Sequence, residues 1–230
     1  MDFNWFDHLF AFLIIIVIPA LSLKSDKMSE EVIQSLPLKK HLFFSNGLML
    51  IISALLVITS WNISNREWSG MGFSLVDFNI KVIYLCIIII TFYLADIFFG
   101  AINKEYDKNK LENLKFIIPL NWKEYRSYIF LAISAGICEE IIFRGFLISY
   151  LYHFLSWMDY GNYISVAIPS IIFSLSHLYQ GWWAVVKIMF IALILGFIFL
   201  YSGSLIPVII IHIFIDLTSG AAAVIASENE

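Results

Sequence analysis

Seven apolar stretches dominate this chain: residues 6–23, 41–61, 79–101, 127–154, 162–179, 182–201 and 204–226. A membrane-spanning helix needs roughly 20 apolar residues, and each stretch reaches or approaches that length. The expected fold is therefore all-α, a polytopic membrane bundle of about seven transmembrane helices. The last three connections are very short, and short loops force antiparallel neighbours, so the C-terminal half should be compact. The fourth stretch is long enough to tilt, or to begin as an interfacial helix. Composition agrees, since the 230 residues are 60% hydrophobic and 14% charged, where a soluble domain carries roughly 25% charge. The net charge of −4 is thinly spread and no basic stripe is present. No nucleic-acid partner is expected.

The chain shows no internal repeat, no low-complexity linker and no soluble insert. Residues 1–230 read as a single membrane domain, with three helices in 1–101 preceding a C-terminal half that carries the chemistry. The opening MDFNWFDHLFAFLIIIVIPALSL superficially resembles a signal peptide, but Asp2 and Asp7 stand where Lys or Arg would, and no A-x-A-like site follows. It reads as a first helix that is retained. Cys86 and Cys138 both fall in apolar runs and read as free, buried thiols. Orientation follows the positive charges. Lys24, Lys27, Lys39 and Lys40 follow the first stretch, and Lys104, Lys108, Lys110, Lys115, Lys123 and Arg126 follow the third. The second loop offers Arg66, with Lys81 just inside the next stretch. That bias places the N-terminus outside and the C-terminus in the cytoplasm. Trp61, Trp122, Trp157, Trp182 and Trp183 fall near span ends, as an aromatic belt would.

The segment GICEEIIFRGF (136–146) breaks the apolar pattern. Each ionised group at the bilayer centre costs roughly 2.5–3.5 kcal/mol on insertion scales, so Glu139, Glu140 and Arg144 must find partners or line a wet cavity. Glu140 and Arg144 are four apart and share a helix face. Glu139 is turned from Glu140 by about 100° and is left to face something else, as a general base or acid would. Helix-tying hydrogen bonds would also account for both glutamates. Two further helices add polar pairs at the same spacing: Phe173 and His177 in FSLSH, His212 and Asp216 in HIFID. Acids and imidazoles on three helices can converge only inside the bundle, which is what hydrolysis requires. The zinc motif HExxH is absent, nothing marks Ser204 as a nucleophile, and Cys138 reads as a small packing residue. Water activated by Glu139 and a histidine, or by a metal they hold, remains.

Together, EEIIFR (139–144), FSLSH (173–177) and HIFID (212–216) resemble the ordered motifs EExxxR, FxxxH and HxxxN/D of the CAAX prenyl endopeptidase family, also called the CPBP or Abi intramembrane proteases. The motifs cover 139–216, and a looser similarity extends over 126–226, the CPBP-type core. The stretch GFIFLYSGSLIPVIIIH (196–212) is similar to the family's approach to its last motif. The resemblance implies an intramembrane endopeptidase in which Glu139 activates water and His177 helps to hold it. Arg144 would orient the glutamate pair, Phe173 would pack beside the site, and His212 and Asp216 would bind the developing oxyanion or hold a metal. Asp216 stands where Asn is common in the prenyl-protease branch, and an ionised Asp cannot donate to an oxyanion. Glu139, His177, His212 and Asp216 could form a zinc site with an open position for water, or work without metal; the reading leans to the metal-free form.

The implied substrate is a lipidated, prenylated or otherwise membrane-associated peptide or protein, within the class that processes CAAX proteins, pheromones or bacteriocins. The alternative is a non-catalytic membrane scaffold or immunity protein of the same fold, and a proton-coupled transporter is a third possibility. The composition, rich in Ile, Phe, Lys and Asn, is compatible with an AT-rich bacterial genome, hence a bacterial plasma membrane. For Glu139 to meet His177, the fourth stretch should enter the bilayer near residues 130–132, with Trp122, Tyr125 and Tyr128 at the headgroups. Asp96 reads as interfacial and Lys187 as a snorkelling residue. The small residues of 134–136 and 219–223, with Gly145 and Gly196, should let helices approach closely.

Overall fold

A computed structural model describes residues 2–25, 37–102 and 117–228. Among them are seven helical rods. The first, α1, runs through Trp5–Phe12, a π-helical turn Leu13–Val17 and Ile18–Ser25. Helix α2 is Lys39–Ile63 and α3 is Ile80–Ile102. The fourth rod, α4, joins Trp122–Glu140, the π-helical segment Ile141–Ile148 and Ser149–Leu155 without a break. Then come α5, Gly161–Leu175; α6, Trp182–Ser202; and α7, Leu205–Glu228. Five of the rods (α1, α2, α3, α6 and α7) are long and apolar enough to cross a membrane. Helix α5 is apolar but only 15 residues long, and α4 carries the charges of EEIIFR. The chain is an integral membrane protein. Of the charges used to orient it, Lys27, Lys104, Lys108, Lys110 and Lys115 lie outside the described residues.

Local chemistry sets the rod ends. Asn4 caps α1 in a reciprocal box with Asp7, and the Asn121 side chain accepts from the Glu124 N–H to start α4. The π-turn in α1 stands just before Pro19, whose ring cannot sit over an ordinary α-helical carbonyl. There the Ile18 N–H reaches back to the Leu13 carbonyl, five residues away. Helix α5 stops at Leu175, short of the expected 179. A 3₁₀ turn, Leu178–Gln180, and Gly181 at φ 96° take the chain into α6.

Rod α4 is central, with α2, α5 and α7 packed on it, while α6 lies against both α5 and α3. Lipid offers apolar side chains as good an environment as the protein does, so close approach depends on small residues. A Cβ on Gly136 would lie 3.0 Å from the backbone nitrogen of Ile213 in α7. One on Gly145 would lie 2.9 Å from the Met71 carbonyl oxygen. Every residue of the π segment Ile141–Ile148 is buried.

One end of the bundle is sealed by the strap 64–79. Its buried Met71 sits under Gly145, the Leu205 N–H donates to the Gly72 carbonyl (2.9 Å), and Ser149 Oγ donates to the Gly70 carbonyl (2.7 Å). Arg66, expected as a loop charge, is instead buried and ion-paired with Asp7 of α1. Ser60 Oγ also donates to Asp7 (2.9 Å), and the rings of Phe3 and Trp61 flank the guanidinium. This corrects the placing of Trp61 in an aromatic belt. It is fully buried, its indole N–H donating to the Glu67 carbonyl, whereas Trp157, Trp182 and Trp183 are exposed.

Candidate active site

The three motifs come to one place because α4 lies between α5 and α7. Glu139, Phe173, His177, His212 and Asp216 line a single cavity of about 670 Å³. Glu140 and Arg144 stand behind that wall, fully buried. The four-residue spacing gives the expected pair, with Arg144 Nη1 donating to Glu140 Oε1 at 2.9 Å. Arg144 also donates from Nη2 to the Ala192 carbonyl at 3.2 Å, tying α4 to α6.

Glu140 has a second role that its position in the sequence did not suggest. The same Oε1 accepts from His212 Nδ1 at 2.7 Å. A carboxylate can only accept, so Nδ1 carries the proton, and Nε2 is turned towards the cavity. There it stands 3.7 Å from Glu139 and 3.7 Å from Asp216. In the neutral ring Nε2 is an acceptor; in the imidazolium it donates. Within the EE pair, Glu140 thus sets a histidine while Glu139 faces the open space.

His177 is set differently. Its Nδ1 donates to the Phe173 carbonyl at 2.8 Å, which in the neutral ring leaves the Nε2 lone pair for a ligand. Phe173 lies among these groups: its ring is 5.0 Å from the Arg144 guanidinium, 4.7 Å from the His177 ring and 6.0 Å, edge-on, from the His212 ring. A flat apolar spacer of this kind holds two imidazoles apart while keeping both near one cavity.

Three tyrosines clasp the backbone of α7 beside Asp216. Tyr125 donates to the Leu217 carbonyl (2.9 Å), Tyr128 to that of Asp216 (3.4 Å) and Tyr93 to that of Ile215 (2.9 Å). Tyr128 also forms part of the cavity wall. The C=O acceptors give each phenol the partner it needs inside a bundle. Asp96 and Lys187, read as interfacial and snorkelling, pair at 2.7 Å and line the same cavity. Cys138 is a buried free thiol and Cys86 a partly buried one. Among the described residues no group of three or more His, Cys, Asp or Glu side chains is arranged to hold a metal ion.

Residues 121–218 match the family model of the Rce1-like type II CAAX prenyl endopeptidases. Similarity to that protease family is thereby shown for the segment. It contains all three motifs, from Glu139 to Asp216, while Tyr93 and Asp96 of the cavity wall lie outside it. No curated protein and no solved structure matches the chain.

Proposed function

We propose that this chain is an intramembrane endopeptidase of the Rce1-like kind, hydrolysing a peptide bond in a prenylated or otherwise membrane-associated substrate. In this reading all seven rods span the bilayer, and the cavity opens to the cytoplasm. The observation that carries the proposal is the convergence of Glu139, His177, His212 and Asp216 on one cavity inside a membrane bundle. Packing alone does not require ionisable groups from three helices to share one polar space.

The chemistry assigned to these groups is as follows. A water held between Glu139 and His177 Nε2 adds through its oxygen to the carbonyl carbon of the scissile bond. Glu139 accepts the proton the water loses. The carbonyl oxygen becomes an oxyanion, stabilised by His212 in its doubly protonated form, whose Nε2–H points into the cavity. Collapse of the tetrahedral intermediate breaks the C–N bond, and the proton held by Glu139 passes to the leaving amine. Glu140 and Arg144 are positioning residues that fix the orientation of His212. Asp216 faces His212 Nε2 at 3.7 Å, and as a carboxylate it does not donate to the oxyanion.

The test is cleavage of an S-farnesylated CAAX-type peptide by the full-length protein in proteoliposomes. Glu139→Gln and His177→Ala should each lower turnover by about 10²–10⁴-fold, the usual worth of general acid–base help. Both should unfold at the wild-type temperature. A Glu139→Gln protein that retains full activity in cells would remove the hydrolytic reading and leave a scaffold of the same fold.

A further inference from the structure

The Lys187–Asp96 ion pair takes no part in that chemistry, yet it lies in the wall of the same cavity. Lys187 comes from the second turn of α6 and Asp96 from near the end of α3. Charge inside a membrane bundle is costly and marks a functional position unless packing explains it. The two side chains are still 34% and 30% exposed. A pair this accessible to solvent is held weakly and can exchange partners.

The charge balance of the cavity gives the direction. Lys187 is the sole Lys or Arg among its described lining residues, against the three carboxyl groups of Asp96, Glu139 and Asp216. A peptide bringing a carboxylate into this space would meet Glu139 and Asp216, beside a His212 that the proposed chemistry reserves for the oxyanion. Lys187 offers it a partner, and a charge-assisted hydrogen bond to an ammonium is among the stronger contacts a carboxylate can make.

We propose that Lys187 is a substrate-binding residue that receives a carboxylate of the peptide, with Asp96 as the counter-ion it exchanges. This deepens the endopeptidase reading and rests on it, since it names what the same cavity selects. The carboxylate has two possible sources, the α-carboxylate at the end of the peptide or an acidic side chain. A terminal carboxylate would make the enzyme select bonds a fixed distance from the C-terminus. Asp96 then serves to keep Lys187 in place and neutralised while the site is empty.

The experiment compares three fluorescent S-farnesylated tetrapeptides: one with a free terminal carboxylate, one amidated, and one amidated with aspartate as its last residue. Binding is read by fluorescence anisotropy on the full-length protein carrying Glu139→Gln, so that nothing is cut, and KM and kcat are read on the active protein. The free-acid peptide should bind about tenfold more tightly than the amide, as one charge-assisted contact provides. Lys187→Gln should abolish that preference by weakening the acid form only, with kcat at saturation held within about twofold. Lys187→Arg should keep the preference, and Asp96→Asn should enlarge it by removing the competitor. Recovery of tight binding by the aspartate-ended amide would assign the contact to a side-chain carboxylate; its absence would assign it to the terminus.

Equal affinity for acid and amide in the parent protein would overturn the proposal, as would equal weakening of both by Lys187→Gln. Loss of preference in Asp96→Asn would make the pair a structural tie between α3 and α6. Should Lys187→Gln fail to fold, the Arg and Asn variants decide the matter alone. Failure of all three peptides to bind at all would instead count against the endopeptidase reading itself.

Discussion

Glu140 Oε1 accepts from His212 and Arg144 at once, so loss of either donor leaves a fully buried carboxylate short of a partner. Breaking a buried pair from one side is much more costly than replacing it whole. Arg144→Ala should therefore destabilise the protein by about 3–5 kcal/mol, seen as a lower unfolding temperature in detergent and a poor yield. Glu140→Gln should act on the reaction rather than on binding. Its amide oxygen can still accept from both donors, but it carries no charge, so the His212 imidazolium loses its buried counter-charge while the cavity wall stays in place. A fall in kcat with KM nearly unchanged is the expected split, and equal loss in both would argue for a merely structural role. The Glu140–Arg144 bond was legible from four-residue spacing. Partners separated along the chain were not: Glu140 meets His212 across 72 positions and Asp7 meets Arg66 across 59, which no periodicity encodes.

At the scale of the helices, the separation of Glu139 from His212 depends on how closely α4 approaches α7. Gly136 sets that approach, because an added Cβ meets the nitrogen and Cα of Ile213 at 3.0 and 3.2 Å, and backbone cannot rotate aside. Gly136→Ala should push α7 outward, carrying His212 and Asp216 with it. Overpacking of this kind costs about 1–3 kcal/mol, but the larger effect should be on turnover. A displacement near 1 Å at a reacting centre is worth on the order of 10²-fold. Gly196→Ala is the comparison, since its backbone-free neighbour is the Val166 side chain, which can shift. A Gly136→Ala enzyme with wild-type kcat would dissociate helix spacing from catalysis. The rods and their small-residue contacts could be read in advance, because apolar length and residue size are properties of the sequence itself. The π segment Ile141–Ile148 could not. No proline or glycine pair announces it, and all 8 of its residues are buried.

For the molecule as a whole, the cavity is lined by residues remote from the strap, such as Asp96, Gln180 and Lys187. The strap 64–79 and the buried Asp7–Arg66 pair occupy the other end of the bundle. Lys39, which bonds Glu124 (2.6 Å) and the Ile118 carbonyl (3.2 Å), belongs to the opposite end. Seven apolar runs could be counted in the sequence, but the cavity could not be located there, because it depends on which rods leave space between them. In the proposed orientation, taken from the charge bias of the sequence, the end lined by Asp96, Gln180 and Lys187 faces the cytoplasm, where prenylated chains would meet it. That placing is tested with single cysteines in a protein whose Cys86 and Cys138 are replaced by alanine and whose activity is checked. Leu75→Cys, in the strap at a position 92% exposed, should react with a membrane-impermeant maleimide on intact cells. Gln180→Cys, in the cavity lining, should react only in inverted vesicles, and a bound S-farnesylated peptide should slow it. The reversed pattern would turn the cavity to the outer face, so that its substrates would have to be exported before cleavage.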